Sequence, residues 1–122
     1  MIKQLHQRFS KTETFINMSI LEYSNMLNIG KQCEICKIFS NGSRVEILLA
    51  LKAKPQTVSA IVEKTGLNQS VVSQHLAILR NKGIVESDKK GAWITYRLKY
   101  PEIMDAFDII KGVTKQITGG RK

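Results

Sequence analysis

The stretch TVSAIVEKTGLNQSVVSQHLAILRNKGIVESDKKGAWITYRL, residues 57–98, decides the fold. Its first part predicts a helix over 57–64, with Thr57 as the cap, because a threonine hydroxyl can accept a hydrogen bond at a helix N-terminus. Residues 65–67 (TGL) form a tight turn, and apolar periodicity predicts a second helix over 69–81. Two short helices joined by a short turn that contains glycine are typical of a helix-turn-helix.

A β-hairpin is predicted directly after these two helices. Residues 83–87 (GIVES) have the pattern of a strand, 88–91 (DKKG) that of a turn, and 92–98 (AWITYRL) that of a returning strand rich in aromatic and β-branched residues. Trp93 and Tyr96 are three positions apart, so they point to opposite faces and one of them is expected to pack on the core. The predicted fold class is therefore mostly α (α+β): a winged helix-turn-helix with a two-stranded β-hairpin wing.

The helix predicted over 69–81 has two different faces. At 100° per residue its apolar residues share one narrow band, which must face the core. These residues are Val72, Leu76 and Leu79. The opposite face is small and polar, and no acidic residue occurs from 64 to 85. A helix that enters the major groove needs such a face, because it must reach base edges without repelling phosphates.

The residues predicted to contact DNA lie in these helices and in the hairpin. Gln74 is the best candidate base reader, since glutamine can form two hydrogen bonds with adenine. Lys89 and Lys90 are placed to follow a phosphate backbone or the minor groove, and Arg97 to reach a phosphate. His75 flanks the apolar band and is interpreted as a packed or phosphate-touching residue rather than a metal ligand. The full predicted set is Thr57, Asn68, Gln69, Ser70, Ser73, Gln74, His75, Arg80, Lys89, Lys90 and Arg97.

The charge of the chain favours a polyanionic partner, most simply double-stranded DNA. The net charge is +9 over 122 residues. Residues 40–100 carry ten basic and four acidic side chains, whereas 1–39 carry five and three, and 101–122 carry four and three. A charge that serves solubility alone stays open as the alternative. No apolar run approaches the roughly 18–20 residues of a membrane span, and no signal peptide is apparent, so the cytoplasm is the expected location.

Two helices are expected to flank the winged-helix domain, because apolar residues recur at helical spacing on both sides of it. Inside the domain, helices are also predicted over 31–40 and over 44–52, the latter capped by Ser43. The predicted division is a basic N-terminal arm at 1–11, an N-terminal helix at 12–29, the winged helix-turn-helix domain at 30–100, a C-terminal helix from Pro101 to 118, and a tail at 119–122.

Residues 40–51 (SNGSRVEILLAL) together with 57–98 resemble the ArsR/SmtB family of winged helix-turn-helix transcriptional repressors. The resemblance covers roughly residues 31–100, and 70–85 (SVVSQHLAILRNKGIV) is close to that family's typical recognition helix and first wing strand. It implies a homodimeric cytoplasmic repressor with N- and C-terminal dimerisation helices, released from DNA by metal or thiol chemistry. The implied dimer interface comprises Ile16, Ile20, Tyr23, Leu27, Ile103, Phe107, Ile110, Val113 and Ile117.

The sequence departs from that family at its known sensor sites. Some members carry cysteines in the first helix of the helix-turn-helix, but residues 56–61 contain none. Other members place Asp and His ligands along the last helix, which here has Asp105 and Asp108 but no histidine. Persulfide-sensing members use a cysteine of the last helix, and this one has none. No familiar inducer site therefore transfers to this chain.

The remaining candidates for a sensor are Cys33 and Cys36, for which three interpretations stay open. At i, i+3 they share one helix face, so the four thiols of a dimer could bind As(III), Cd(II) or Zn(II). They could instead form a redox pair, because Gly30 would place Cys33 in a first helical turn beside lysines. Equally, they could be structural core residues with no cofactor at all.

Two other function classes are weighed against DNA binding. A thiol–disulfide oxidoreductase would need a strand before C-x-x-C in a βαβ unit, but helices are predicted there, so no enzymatic activity is expected. A protein-interaction module that has lost DNA binding would favour acidic or bulky residues on the outer face of the 69–81 helix, where none occur. The predicted function is a dimeric sequence-specific DNA-binding regulator, a repressor released by an effector sensed at Cys33 and Cys36. The alternative is the same regulator without a metal site.

Overall fold

The computed structural model of the chain describes residues 19–119, which belong to two compact units, Met1–Lys37 and Ile38–Lys122. Within the described part, no helix is both long enough and apolar enough to cross a membrane. The described helices are α1 (Ile20–Leu27), α2 (Ile29–Cys36), α3 (Gly42–Leu51), α4 (Val58–Thr65), α5 (Gln69–Asn81) and α6 (Ile103–Thr118), and the strands are β1 (Val85–Lys90) and β2 (Trp93–Leu98). A 3-10 helix spans Lys37–Ser40.

In the first unit, α1 begins with a capping box. The Glu22 N–H donates to Ser19 Oγ at 3.1 Å, and the Ser19 N–H donates to the Glu22 carboxylate at 3.0 Å. Asn28, with φ +54°, separates α1 from α2 in a left-handed conformation that asparagine tolerates better than most residues. In the described part of the helix predicted over 12–29, α1 therefore begins at Ile20, and Asn28 separates it from α2. Residues 12–18 of that prediction lie outside the described residues.

The second unit is built around α3, α4 and α5, with the base of the wing and the start of α6 closing its core. The buried apolar residues are Ile38, Ile47, Leu48, Leu51, Ile61, Val72, Leu76, Leu79, Ile84, Val85, Leu98 and Met104. Cores of this kind supply most of the free energy that favours folding, because burial removes apolar surface from water. All of these buried residues lie in the second unit, so the winged-helix domain has its own core.

Side-chain caps fix where α3 and α4 begin. Asn41 Oδ1 accepts from the Arg44 N–H at 3.1 Å, so α3 starts at Gly42. The prediction that Ser43 caps a helix over 44–52 is wrong, because Asn41 does so two residues earlier. Thr57 Oγ1 accepts from the Ala60 N–H at 3.1 Å, which confirms the predicted cap of α4.

The turn between α4 and α5 confirms the helix-turn-helix. Gly66 ends α4 with φ +72°, and its N–H donates to Val62 O at 2.8 Å, as glycine commonly does just past a helix C-terminus. Asn68 then caps α5, accepting from the Ser70 N–H at 2.8 Å. The structure places α5 at the predicted bounds, 69–81.

The wing is a two-stranded antiparallel hairpin whose register runs from Val85 opposite Leu98 to Lys90 opposite Trp93. A two-residue loop joins the strands, and Gly91 at its first position has φ +59°, a pattern typical of a type II′ turn. The predicted four-residue turn over 88–91 is wrong, because 88–90 continue β1. The first strand also begins at Val85 rather than at 83.

Backbone hydrogen bonds anchor the base of the wing. Gln56, just before α4, exchanges two bonds with Tyr96: its N–H donates to Tyr96 O at 3.0 Å, and the Tyr96 N–H donates to Gln56 O at 2.8 Å. The Ile84 N–H donates to Leu79 O of α5 at 2.9 Å, and the Lys99 N–H donates to Ile84 O at 2.9 Å. The wing is thus tied to both helices of the helix-turn-helix.

Helix α6 begins at Ile103, after a turn over 101–102, rather than at Pro101 as predicted. One side of it packs on the domain: Met104 is buried, and the Phe107 ring stacks on that of Phe39 with centroids 5.5 Å apart. Another side is apolar and exposed. That side comprises Ile109, Ile110, Val113 and Ile117.

Candidate nucleic-acid interface

Helix α5 presents one face to the core and another to solvent, as its sequence predicted. Val72, Leu76 and Leu79 are no more than 1% exposed. The predicted outer residues are all exposed, namely Gln69, Ser70, Ser73, Gln74, Ala77 and Asn81. The side chains of this outer face are uncharged and mostly small, so a second macromolecule can approach the helix closely.

Two open, shallow depressions follow the outer face of α5. The first is lined by Asn68, Gln69, Ser70, Ser73 and Gln74. The second lies between α5 and the wing and is lined by Ser73, Ala77, Arg80, Asn81 and Tyr96. Ser73 belongs to both, so the surface runs from the helix N-terminus to the wing and offers hydroxyl, amide and guanidinium groups along its length.

The N-terminus of α5 is held by Asn68. Its Oδ1 accepts from the Ser70 N–H at 2.8 Å and from Ser70 Oγ at 2.7 Å. The cap uses the carbonyl oxygen of Asn68, which leaves the amide nitrogen to donate outward. In α4, Thr57 is half-buried and its hydroxyl caps the helix. Both residues are therefore structural caps, and Asn68 also lines the surface.

The two faces of the wing differ in whether their charged side chains form ion pairs. Residues directly opposite each other in an antiparallel sheet share a face, and neighbours along a strand alternate. Lys89 and Ile94 therefore share the face of the buried residues Val85 and Leu98. On this face, Ser87 Oγ lies 3.4 Å from Arg80 Nη1, so the wing faces the last turn of α5.

Arg97 lies on the other face of the wing and binds the two acidic residues there. Its Nε donates to the Asp88 carboxylate at 3.0 Å, and its Nη2 forms an ion pair with Glu86, which is directly opposite in the register. Lys99 Nζ is 3.8 Å from the same Glu86. The predicted phosphate contact of Arg97 stays a prediction, but its guanidinium is already shared between two carboxylates.

Lys89 and Lys90 are exposed at the end of β1, next to the hairpin loop. Neither forms an ion pair with any residue in 19–119, whereas the wing's two carboxylates are paired with Arg97. The tip of the wing therefore carries uncompensated positive charge, which is the arrangement that phosphate binding requires.

His75 is half-buried on the flank of α5, and its Nδ1 atom is buried without a hydrogen-bond partner in the described structure. Burial lowers the pKa of this imidazole below its ordinary value of 6.5, and the positive charge of Arg44 lowers it further. The ring is therefore neutral at neutral pH. This agrees with a packed residue, while its contact with a phosphate stays a prediction.

Cys33 and Cys36 lie on α2 in the first unit, and both are free thiols exposed to solvent. Cys33 is the fifth residue of α2, so the predicted position in the first turn is wrong; the helix starts at Ile29, with Gly30 inside it. The interpretation of the pair as buried core residues does not match their exposure. Within residues 19–119 no three His, Cys, Asp or Glu side chains cluster as a metal site. The described part of one chain thus offers two thiols without a third ligand.

Sequence reasoning missed the apolar tip of the wing. Trp93 is 71% exposed and Ile94 is 42% exposed, whereas Tyr96 is half-buried. The alternation of the strand placed Trp93 and Tyr96 on opposite faces, but it did not reveal that Trp93 lies beyond the core. The signal available in the sequence was the position of Trp93 directly after the Gly91 loop.

Comparisons with known proteins agree with this surface. A model of the "Bacterial regulatory protein, arsR family" matches residues 41–87, from the cap of α3 into β1. The HTH-type transcriptional regulator NmtR of Mycobacterium tuberculosis is 38% identical over 66 residues, 54% of this chain and 55% of NmtR. The transcriptional activator HlyU of Vibrio cholerae is 30% identical over 83 residues, 68% of this chain and 77% of HlyU. The chain thus spans about half the length of NmtR and three quarters of HlyU.

A solved structure extends the agreement to the fold. The homodimeric winged helix-turn-helix DNA-binding domain (fragment 1–100) from Mycobacterium bovis has a TM-score of 0.68 to this chain at 23% identity. The match covers 87% of this chain and 96% of that domain. The family match over the helix-turn-helix and the similarity to HlyU show that the chain belongs to the ArsR family of bacterial regulatory proteins.

Proposed function

We propose that the chain is a sequence-specific DNA-binding transcriptional regulator that acts as a homodimer, with α5 in the major groove. The observation that carries the proposal is the outer face of α5, which is exposed, has mostly small polar side chains and contains no acidic residue. Gln74 lies at the centre of that face, where its amide can donate to and accept from an adenine edge. Ser70 and Ser73 add hydroxyl groups next to it.

The charges around α5 support DNA as the partner. Arg80, at its C-terminal end, lines the depression between α5 and the wing, and the two exposed lysines lie at the tip of the wing. Contacts from such residues to phosphates position a protein on the duplex, whereas side chains that reach base edges specify the sequence. We assign Arg80, Lys89 and Lys90 to the first role, and Gln74, Ser70 and Ser73 to the second.

Dimerisation is proposed from the exposed apolar sides of two helices. In the second unit, α6 exposes Ile109 by 70%, Ile110 by 56% and Ile117 by 68%. In the first unit, α1 exposes Ile20 by 89%. Contiguous apolar surface of this kind marks an interaction site, and the similar M. bovis domain is homodimeric. Of the other predicted contacts, Ile103 and Phe107 are half-buried in their own domain, Tyr23 and Val113 are exposed, and Ile16 and the side chain of Leu27 lie outside the description.

We further propose that the regulator is a repressor released by a thiol-directed signal at Cys33 and Cys36. Their exposure and their i, i+3 spacing on α2 support this role over a packing role. Two thiols per chain become four in a dimer, enough for As(III), Cd(II) or Zn(II), and the same pair can form a disulfide on oxidation.

The proposal is tested by titrating the protein into fluorescein-labelled duplexes and measuring anisotropy. One duplex comes from the DNA upstream of the protein's own gene, and the other is a shuffled duplex of equal length. We expect the upstream duplex to bind at least about 1,000-fold more tightly, with both affinities falling steeply as salt rises. A folded protein that binds neither duplex at low salt would contradict DNA binding, and equal affinities would contradict sequence specificity.

A further inference from the structure

The wing ends in an exposed tryptophan. Trp93 is the single tryptophan of the chain, is 71% exposed, and is the first residue of β2. It lies directly opposite Lys90 in the register, so the two side chains share a face of the wing. Leaving the apolar ring of an indole in water costs free energy. Tryptophan is therefore favoured at interfaces where its ring contacts an apolar surface while its N–H stays near water or another polar group.

The other face of the tip repeats this pairing of an apolar side chain with a lysine. Ile94 is 42% exposed and lies directly opposite Lys89. The acidic residue closest to the tip, Asp88, is bound to Arg97 at 3.0 Å. The tip thus presents an apolar end with one cation on each face and with its carboxylate neutralised.

This combination complements the minor groove of DNA. The walls of that groove are deoxyribose rings, and a row of phosphates runs along each edge. An apolar wedge can enter the groove while flanking lysines bind the phosphates on both sides, as in proteins that insert apolar side chains from the minor groove.

The reach of the wing fits the same placement. From the buried base at Leu98 to Trp93 is five residues, or about 17 Å at the usual rise of a strand. Half a turn of B-DNA, which separates a major groove from the next minor groove, is also roughly 17–18 Å. Since Ser87 faces α5 through Arg80, a wing beside a major-groove helix brings its tip to the neighbouring minor groove.

We propose that Trp93, with Ile94, is a DNA-contacting wedge that enters the minor groove adjacent to the major groove occupied by α5. Lys89 and Lys90 bind the phosphates on the two edges of that groove. The wing therefore contributes an apolar, salt-independent part of the binding as well as an electrostatic one. This inference rests on the proposed function and adds a contact to it.

The first test uses Trp93 itself as the reporter, because no other tryptophan contributes to the emission. Wild-type protein is mixed with the labelled upstream duplex, and anisotropy establishes that the DNA is saturated. Acrylamide quenching of Trp93 is then measured; acrylamide is neutral, so the charge of DNA does not repel it. We expect the quenching constant to fall at least about two-fold on binding, as the exposed indole becomes covered. An unchanged quenching constant at full saturation overturns the wedge and leaves the proposed function intact.

The second test separates apolar from electrostatic contacts. Trp93→Ala is expected to weaken binding about 10-fold at every salt concentration, leaving the slope of log K against log salt unchanged, because no charge is removed. Lys90→Ala, on the same face, is the matched control and is expected to reduce that slope by about one. A Trp93→Ala variant that binds like wild type overturns the proposal. Thermal melting checks that both variants are folded, and neither exposed side chain is part of the core.

The third test identifies the groove. Replacing guanine by inosine removes the amino group in the minor groove and leaves the major-groove pattern intact. The replacement is expected to change the affinity of wild type more than that of Trp93→Ala. An equal response of the two proteins overturns the minor-groove placement. Failure of both proteins to bind any duplex contradicts the proposed function and this inference together.

Discussion

Arg97 and Asp88 lie on one face of the wing, and Arg97 Nε donates to the Asp88 carboxylate at 3.0 Å. Glu86 shares the same guanidinium. All three side chains are partly exposed, so the pairs contribute at most about 1 kcal/mol to stability. Their main effect is electrostatic, because they prevent two carboxylates from opposing phosphates near the tip.

We therefore expect Arg97→Ala to weaken binding to all DNA sequences by roughly 10-fold at low salt, with the effect shrinking as salt screens the uncovered carboxylates. The triple variant Arg97→Ala/Glu86→Gln/Asp88→Asn should recover most of the loss. Anisotropy titrations with the shuffled duplex provide the measurement. If the triple variant binds no better than Arg97→Ala, Arg97 acts by contacting phosphate directly, as its position in the sequence first suggested.

Gln74→Ala should reduce affinity for the upstream duplex by about 1–3 kcal/mol, because two hydrogen bonds to one base are lost. Binding to the shuffled duplex should stay the same, since no phosphate contact is removed. Lys89→Ala is the matched control: it should weaken both duplexes alike and lower the salt slope by about one. A Gln74→Ala variant that weakens both duplexes equally would remove Gln74 from base reading.

Ile110→Lys should convert the protein into a monomer, because it places a charge in the exposed apolar side of α6. Burial of unpaired lysines in the dimer interface would cost more than such an interface can offset. Sedimentation equilibrium measures the mass, and Lys111→Glu, at an exposed site on the same helix, controls for a change of charge alone. An Ile110→Lys variant that is still fully dimeric would place the interface elsewhere.

If ligand binding at the thiols changes the DNA-binding surface, As(III) should release wild-type protein from the upstream duplex and lower its affinity for that duplex at least about 10-fold. The variant Cys33→Ser/Cys36→Ser should bind DNA like wild type and ignore As(III). Zn(II), Cd(II) and a disulfide-forming oxidant are tested in parallel. Identical responses of the two proteins to all four reagents would show that the cysteines are not the sensor.

His75 should make folding sensitive to pH on the acidic side. Its pKa is lowered in the folded protein by burial and then by Arg44, so the unfolded chain takes up the proton first as pH falls. The stabilising contribution is complete above about 6.5 and decreases as pH falls below that value. Urea unfolding of wild type and His75→Gln between pH 7.5 and 5.5 should show a smaller loss of stability in the variant, with His6→Gln as a control for the other histidine. Equal losses would contradict this role.

The sequence was sufficient for the helix-turn-helix because local chemistry fixes it. Thr57 caps α4, Gly66 supplies the left-handed residue that ends it, and the apolar period of α5 leaves one possible inner face. The capping box of Ser19 and Glu22 at the start of α1 is likewise a local signal in the sequence.

Features that depend on distant contacts were not predictable in the same way. The residues of the predicted turn over 88–91 favour a turn locally, yet Asp88 belongs to β1, where it pairs with Thr95 of β2 and its carboxylate accepts from Arg97. The exposure of Trp93 depends on where the core ends along the hairpin. The lowered pKa of His75 depends first on burial in the folded domain and then on the charge of Arg44, 31 positions away in the sequence.

Backbone hydrogen bonds fix the spacing between α5 and the wing: the Ile84 N–H donates to Leu79 O of α5, and Gln56, just before α4, exchanges two bonds with Tyr96. These bonds join backbone atoms, so a change of side chain does not remove them. Because the spacing between α5 and the wing is fixed, the two elements fit a duplex whose grooves have the matching spacing. DNA whose grooves already have the matching spacing needs less deformation to bind, whereas stiffer or differently shaped sequences must be deformed more. The protein is thus expected to select its sites by the shape of the duplex, at base pairs that no side chain touches.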